Sequence, residues 1–317
     1  HLYNIDMLSI LITEFITRQA LDFLSQKYAV IYLPDSYSRR ADLLKLSSEV
    51  DAIIVRNLTQ VDQELLCIAK QLKVVGRLGV GLENIDLDYC KNHGIQVFPA
   101  TGANAQSVAE YVVSTAVVLM RGLFVATPLT GSGQWPRSKF IEQREAYGKT
   151  LGIVGLGSIG REVAKKASAF GFQCVAYDPL IVGTSVSIDQ LTIPLLGLEK
   201  LLNQSAVVTL HLPLLDSTKG LFSGQTLDLM QDGAFLVNTS RGQIVDEKAL
   251  ADRLRSGRLG GAAMDVFAKE PAKDLSHFAG IENIFLTPHI SGVTVESNDR
   301  VCDVVTRLVD QALGKFA

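Results

Sequence analysis

The amino-acid sequence predicts an α/β protein with two domains, each built around a parallel β-sheet with helices on its faces. Its 317 residues exceed what one ordinary hydrophobic core organises. Hydrophobic residues make up 47% of the chain and charged residues 20%, a balance that is typical of globular proteins. Short apolar runs alternate with helical patterns in two separate series, which indicates βαβ units.

The first series runs from the start of the chain to a break near Pro99 and Gly102. Its strands and helices are predicted at residues 8–13, 17–26, 52–55, 62–69, 74–77 and 96–98. Residues 105–121, after the break, have the pattern of a long and largely apolar helix. We expect this helix to be buried between domains or at a subunit interface.

The second series contains six strand-like runs, the number found in a complete dinucleotide-binding sheet. These runs are residues 150–154, 174–177, 206–211, 234–238, 261–265 and 284–287. A final helix, residues 295–313, follows the finished sheet, and we expect it to return to the first domain. The sequence therefore predicts a discontinuous smaller domain of residues 1–102 and 291–317, and a second domain of residues 103–290.

A glycine-rich segment joins the first strand of the second series to the helix that follows it. Gly155 permits the tight turn, Gly157 lets the backbone approach a pyrophosphate, and Gly160 lets the helix and strand pack closely. The N–H groups at the helix start then bind phosphate charge. The cofactor contacts predicted for this motif are Gly155, Gly157, Ser158, Ile159 and Gly160. The second domain is therefore predicted to be a Rossmann doubly wound parallel sheet.

Asp178 ends the next strand, 18 residues after Gly160. An acidic residue at about 20 residues from the glycine motif bonds the adenosine ribose hydroxyls. Its carboxylate would repel a 2′-phosphate, so the predicted cofactor is NAD rather than NADP. A glycine-rich turn with an unrelated surface aspartate is the alternative.

Composition and charge argue against several other classes of function. A net charge of −3, with no run of Lys or Arg, gives no reason to expect nucleic acid as a partner. The four cysteines lack paired spacing, so no metal site is predicted. The early apolar stretch at residues 7–12 is too short for a membrane span, and we expect no membrane partner and a cytoplasmic location. A strand-like run opens at Met7, which favours Met7 as the natural first residue.

Three polar residues follow strands of the second series, at the sheet edge where open α/β sheets bind their ligands. They are Arg241, Glu270 and His289. Each has an ordinary explanation when taken alone: a helix-start ion pair for Arg241, a solvated charge for Glu270 and a loop residue for His289.

The segments around these residues resemble the signatures of the D-isomer-specific 2-hydroxyacid dehydrogenases, most closely the phosphoglycerate dehydrogenase branch. The matching segments are residues 236–242, 263–267 with Glu270-Pro271, 287–289, and 75–81 with 84–86. They occur in the family's order, and the resemblance extends from about Leu8 to the C-terminus. It implies a smaller flavodoxin-like substrate domain beside the Rossmann domain, with the active site between them.

The resemblance also implies the catalytic roles. Arg241 would bind the substrate carboxylate and C2 oxygen with its planar guanidinium. His289 would be the acid–base group, and Glu270 would fix its tautomer and raise its pKa. The backbone N–H groups of Leu78 and Gly79 would hold the substrate carboxylate as well.

The remaining cofactor contacts are likewise implied by the resemblance, which places Asp265 against the nicotinamide and the segment at His211 beside the adenine. They are His211, Pro213, Thr218, Thr239, Asp265 and Ser291. The family usually has glycine two residues after the catalytic histidine, whereas this chain has Ser291 before Gly292. That departure bears on the contact with the nicotinamide amide.

The predicted function is hydride transfer between NAD(H) and C2 of a small 2-hydroxy or 2-keto acid. Arg56 occupies the family position that can reach a second anionic group, as in 3-phosphoglycerate or sulfolactate; its alternative is a surface ion pair. Trp135 falls where relatives reach across a dimer interface, and we expect a homodimer. The alternatives are a hydroxypyruvate or glyoxylate reductase, a formate or phosphite dehydrogenase, and an NADH-sensing binding protein without catalysis.

Overall fold

The computed structural model describes residues 7–316 and divides into two compact units. The first unit ends at Asn104 and resumes at Val293, and the second unit is Ala105–Gly292. Both divisions lie two residues beyond the boundaries expected from the sequence. The expectation that Met7 is the natural first residue concerns residues 1–6, which lie outside the described residues.

The first unit contains a five-stranded sheet in which every neighbouring pair is parallel. Its strands are β1 (Ser9–Ile12), β2 (Ala29–Tyr32), β3 (Ala52–Val55), β4 (Val74–Arg77) and β5 (Gln96–Pro99). The order β2-β1-β3-β4-β5 is that of a flavodoxin-like sheet. The predicted α/β class with a flavodoxin-like unit is therefore confirmed. Strand β2, which lies at the sheet edge, is absent from the sequence prediction.

Helices cover the two faces of this sheet. They are α1 (Arg18–Ser25), α2 (Arg40–Ser47), α3 (Gln63–Ile68), α4 (Leu87–Asn92) and, from the end of the chain, α11 (Val295–Leu313). Gly76 in β4 explains how closely α11 packs: a Cβ there would lie 2.8 Å from Val309 Cγ2 and 2.9 Å from Val305 Cγ1. Side chains of α11 are therefore part of the core of the first unit.

The second unit contains a six-stranded parallel sheet, as predicted. Its strands are β6 (Thr150–Val154), β7 (Gln173–Tyr177), β10 (Val207–Leu210), β11 (Ala234–Asn238), β12 (Leu259–Met264) and β13 (Ile284–Leu286). The order is β13-β12-β11-β10-β6-β7. Strand β7 lies on one side of β6, and β10 to β13 lie on the other side, so the strand order reverses between β6 and β10. Ligands of such sheets bind outside the carboxyl ends of the strands at this point.

The strand that usually follows the second strand of a Rossmann sheet is reduced here to a single bridge. Leu195 pairs with Ala176 in parallel, and the N–H of Leu196 donates to the carbonyl of Ala176 at 2.9 Å. The preceding residues instead form a separate antiparallel hairpin of β8 (Ser185–Ile188) and β9 (Leu191–Pro194). The sequence analysis does not predict this hairpin.

The α-helices of the second unit that accompany these strands are α5 (Ala105–Arg121), α6 (Leu123–Gly131), α7 (Ser158–Phe170), α8 (Leu198–Gln204), α9 (Gly224–Asp228) and α10 (Glu247–Arg255). The apolar face of α5 enters the core beside α7. Within residues 7–316, no single helix is long and apolar enough to cross a membrane. The pair α5 and α6, bent by 59°, passes that test only when its two helices are combined.

Candidate active site

The glycine-rich turn after β6 has the geometry that dinucleotide binding requires. Gly155 has a φ of +97°, and a Cβ there would lie 2.4 Å from the carbonyl oxygen of His211. A Cβ on Gly160 would lie 2.1 Å from the carbonyl oxygen of Gly155. A Cβ on Gly157, at the start of α7, would meet no other atom within 4 Å. The turn therefore leaves open space at the N-terminus of α7, which fits a pyrophosphate.

Asp178 lies directly beside this turn. Its Oδ2 accepts a hydrogen bond from the N–H of Leu156 at 2.9 Å, and its Oδ1 accepts one from the N–H of Leu180 at 3.0 Å. No basic residue occurs at positions 178–183. A carboxylate without a nearby cation disfavours a 2′-phosphate, and the residues present fit NAD.

The other predicted cofactor residues surround the ends of β10 and β11. Burial lowers the pKa of His211 to about 3, so its imidazole is neutral, and its Nε2 lies 3.0 Å from Thr209 Oγ1. The hydroxyl of Thr218 donates to the carbonyl of Pro213 at 2.7 Å and so closes that loop. The buried hydroxyl of Thr239 has no hydrogen-bond partner within residues 7–316. Such an unsatisfied group fits the predicted cofactor contact.

His289 and Glu270 form the hydrogen-bonded pair expected from the sequence. His289 Nδ1 lies 2.7 Å from Glu270 Oε2, while Glu270 Oε1 accepts a bond from the N–H of Phe267 at 3.0 Å. The hydrogen bond to Glu270 is the main reason that the pKa of His289 is raised above its ordinary value. Burial alone would raise the pKa of Glu270, but the bonds from His289 and Phe267 lower it overall. The pair therefore favours a charged imidazole beside an ionised carboxylate.

The backbone at His289 is held in an unusual conformation. Its φ is +57°, a left-handed value that side-chain-bearing residues seldom adopt. The two N–H groups that follow, of Ile290 and Ser291, each donate to the carboxylate of Asp265 at 2.8 Å. Asp265 has no exposed surface. Its carboxylate thus holds this loop from inside the protein, and Ser291 is buried with it. The expected contacts of Asp265 and Ser291 with the nicotinamide stay predictions.

Arg241 follows β11 and is brought beside the Glu270 segment by an adjacent glycine. A Cβ on Gly242 would lie 1.9 Å from the carbonyl carbon of Phe267, so only glycine permits this approach. The side-chain amide of Asn238 donates to the carbonyl of Arg241 at 3.0 Å, and Arg241 Nη1 donates to the carbonyl of Ser240 at 2.7 Å. The positive charge of Arg241 adds to the lowering of the pKa of Glu270 and partly opposes the rise in the pKa of His289.

The carboxylate-binding loop of the first unit requires a correction. The N–H of Leu78 donates to the carbonyl of Val55 at 2.8 Å, and the N–H of Gly79 donates to the carbonyl of Arg77 at 2.8 Å. Both donors expected from the sequence are therefore engaged within the protein. The N–H groups of the next two residues, Val80 and Gly81, have no acceptor within the described part of the chain. These two groups are the better candidates for holding a carboxylate.

Arg56 lies on a loop of the first unit that other side chains hold firmly. The buried carboxylate of Glu14 accepts bonds from the N–H groups of Arg56 at 2.8 Å, Leu58 at 3.1 Å and Thr59 at 3.0 Å. Arg56 Nη2 donates to Asn298 Oδ1 at 2.7 Å, and the guanidinium lies over the Phe15 ring, 5.3 Å from its centre. Within residues 7–316 the guanidinium forms no ion pair with a carboxylate.

Four groups near these sites are not predicted from the sequence. Val80 and Gly81 could be recognised only once the partners of Leu78 and Gly79 were known. Asn298 lies 242 residues from Arg56, and no local pattern connects the two. The hydroxyl of Tyr111, 2.6 Å from Thr287 Oγ1, is equally remote in sequence.

A dinucleotide-binding turn on a parallel sheet, beside a His–carboxylate pair and an arginine, defines a nicotinamide-dependent dehydrogenase. The family described as D-isomer specific 2-hydroxyacid dehydrogenase, NAD binding domain, matches residues 113–291. An (S)-sulfolactate dehydrogenase of Chromohalobacter salexigens is 43% identical, over 97% of this chain and 99% of its own length. This chain therefore belongs to the D-isomer-specific 2-hydroxyacid dehydrogenase family, and it is an NAD-dependent oxidoreductase of small 2-hydroxy acids.

Two further proteins show how widely the fold and sequence are shared. A hydroxypyruvate reductase of Thermotoga maritima is 36% identical, over 86% of this chain and 88% of its own length. The crystal structure of a glyoxylate reductase from Paecilomyes thermophila has a TM-score of 0.87 and 28% identity, covering 98% of this chain and 97% of that one. The fold is thus common to proteins named for different 2-keto acids.

Proposed function

We propose that this enzyme acts on a three-carbon 2-hydroxy or 2-keto acid that carries a second anionic group at C3. NAD(H), when bound to the second unit, supplies or accepts the hydride at C2 of the substrate. The observation that carries the choice of substrate is the guanidinium of Arg56, which is held in place but has no carboxylate partner within the described residues.

The second unit performs the proton chemistry. Because Nδ1 of His289 is hydrogen-bonded to Glu270, the mobile proton is carried by Nε2. Protonated His289 donates this proton to the C2 oxygen as the ketone is reduced, and neutral His289 removes it when the alcohol is oxidised. Arg241 binds the substrate carboxylate and offsets the negative charge that develops on the C2 oxygen.

The environment of Arg56 favours an anionic ligand. A guanidinium is always charged, and its usual surface partner is a carboxylate. Here the carboxylate of Glu14, which holds the Arg56 loop, is occupied by three main-chain N–H groups. Asn298 and the ring of Phe15 fix the guanidinium without neutralising it. A sulfonate or phosphate at C3 of the substrate would supply the missing charge.

The similarity to an (S)-sulfolactate dehydrogenase supports a substrate with an anionic group at C3. The similarity to a hydroxypyruvate reductase supports the alternative, a substrate without an anionic group at C3. A panel of sulfopyruvate, phosphohydroxypyruvate, hydroxypyruvate and glyoxylate, assayed by NADH oxidation, separates them. Formate and phosphite donate a hydride, so they are tested separately by NAD reduction, with a no-substrate control in each assay. Turnover near background with every 2-keto acid would contradict the proposal.

Replacement of Arg56 tests the assignment directly. One charge-assisted hydrogen bond contributes about 1.5–3 kcal/mol, so R56A should raise KM for the C3-anionic substrates by about ten- to a hundredfold. KM for hydroxypyruvate should stay within about twofold. R18A, which removes an exposed arginine paired with Asp22 in α1, is the matched control. Equal losses for anionic and uncharged C3 groups would refute the role of Arg56.

We also propose a cytoplasmic homodimer. Helix α6 contains no charged residue and has no buried residue in the described chain, although most of its side chains are apolar. The segment after it exposes Trp135, Ile141 and Tyr147. An apolar surface of this kind suits a second copy of the chain. Sedimentation should give the mass of two chains, and a sedimentation mass of one chain would contradict the proposal. W135A should lower turnover if Trp135 reaches the partner's site.

A further inference from the structure

A row of three side chains leads from helix α5 to the loop that carries His289. The hydroxyl of Tyr111 lies 2.6 Å from Thr287 Oγ1, and Thr287 Oγ1 donates to Asp265 Oδ1 at 2.6 Å. A threonine hydroxyl has one proton, which here is given to Asp265. The Tyr111 hydroxyl must therefore be the donor to Thr287, and all the bonds of the row point toward the carboxylate.

The carboxylate at the end of the row is stabilised by hydrogen bonds alone. Asp265 has no exposed surface and forms no ion pair within the described residues. It accepts one bond from Thr287 and one each from the N–H groups of Ile290 and Ser291. Because a buried charge is costly without such donors, weakening one of the three leaves the carboxylate less well satisfied and makes the loop that it holds less stable.

This carboxylate fixes the conformation on which the position of the imidazole depends. His289 has its left-handed φ of +57° immediately before the two N–H groups that Asp265 binds. A left-handed residue with a side chain is strained and persists only where its surroundings hold it. The direction of its imidazole toward Glu270 is thus set by the same carboxylate that Thr287 and Tyr111 support.

We infer that Tyr111 is a positioning residue for His289, acting through Thr287 and Asp265. Burial raises the pKa of Tyr111 to about 12, so its hydroxyl keeps its proton throughout the working range of the enzyme. The phenol touches neither His289 nor Glu270 in any hydrogen bond of the described chain, and its effect on turnover is indirect. This inference rests on the acid–base role proposed above for His289.

The test is Y111F, which removes one oxygen and keeps the ring. Loss of one neutral hydrogen bond from the row should lower kcat for 2-keto acid reduction by about two- to tenfold, with KM for NADH unchanged. The solvent isotope effect on kcat should rise, because a less well-placed imidazole makes proton transfer more rate-limiting. Y37F, which alters an exposed tyrosine of the first unit, is the matched control and should have no effect.

A double-mutant cycle distinguishes positioning from general packing. T287V breaks the row at its middle, so Y111F should add little to the loss that T287V causes, whereas T287S keeps the hydroxyl and should restore turnover. Additive losses, or Y111F kinetics equal to those of Y37F, would overturn the inference. H289A separates the two proposals. If H289A keeps full turnover, the acid–base role of His289 fails. If H289A abolishes turnover while Y111F has no effect, only the role of Tyr111 fails.

Discussion

Replacing Glu270 with glutamine should move the pH dependence of both reaction directions. The carboxylate lies 2.7 Å from His289 Nδ1 and is the main cause of the raised pKa of the imidazole. Glutamine preserves the shape of the side chain but removes its charge, so the pKa of His289 should fall toward its ordinary value. Reduction requires the protonated imidazole and oxidation requires the neutral one. Both pH limbs should therefore move to lower pH in E270Q.

The size of the effect follows from the exposure of the pair. The side chain of His289 is 50% exposed and that of Glu270 is 35% exposed, so solvent screens the interaction. We take the lower end of the range for a charge-assisted hydrogen bond, about 1.5–2 kcal/mol, which corresponds to about ten- to thirtyfold in kcat/KM for reduction. The deficit should be smallest at acidic pH, where the imidazole of either protein is protonated, and should increase as pH rises.

The assay is kcat/KM for NADH-dependent reduction and for NAD-dependent oxidation across a pH series. An exposed glutamate of the first unit provides the control: Glu64 Oε2 lies 2.8 Å from Arg40 Nη2, and its side chain is 62% exposed. E64Q should leave both limbs unchanged. Limbs that stay in place in E270Q, or that move in opposite directions, would refute the assignment of His289 as the titrating group.

Two substitutions test the cofactor turn. D178A removes the acceptor for the N–H groups of Leu156 and Leu180 and should raise KM for NAD by about tenfold while narrowing the preference for NAD over NADP; an unchanged ratio of the two KM values would contradict this role. G160A would place a Cβ 2.1 Å from the carbonyl oxygen of Gly155, so it should weaken NADH binding in a fluorescence titration and lower Tm in a melting experiment. G197A is the control: its Cβ would meet no atom within 4 Å, so it should change neither NADH binding nor Tm.

The sequence predicts the long and strongly patterned elements well. The bounds of α5 and α11 agree with the expected ranges 105–121 and 295–313, because each helix has a wide apolar face that is buried in its own unit. Strands β6 and β11 also agree, since they are buried runs next to clear turn signals. The four-residue strand β2 lies at a sheet edge and is only partly buried, so the pairing with β1, rather than local sequence, decides its conformation.

The motifs locate the catalytic segments but do not assign the task of each atom. The His289–Glu270 pair follows from the motif resemblance. The expected donors Leu78 and Gly79 were misplaced because their N–H groups are engaged by Val55 and Arg77, partners that become known only when β3 and β4 pair. The hydrogen bonds from residues 287–291 to Asp265 cannot be read from the sequence either, because their donors lie more than twenty residues further along the chain.

The place of α11 in the first unit determines the order in which the chain can fold during synthesis. Buried side chains of α11, including Cys302, Val305 and Val309, complete a core whose strands are made about 200 residues earlier. Until these residues have emerged from the ribosome, the sheet that carries Gly76 lacks the packing of α11 on one face. The second unit, whose residues are all translated before α11, can reach its native packing first, so a nascent chain truncated before Val295 would expose hydrophobic surface and be a substrate for chaperones.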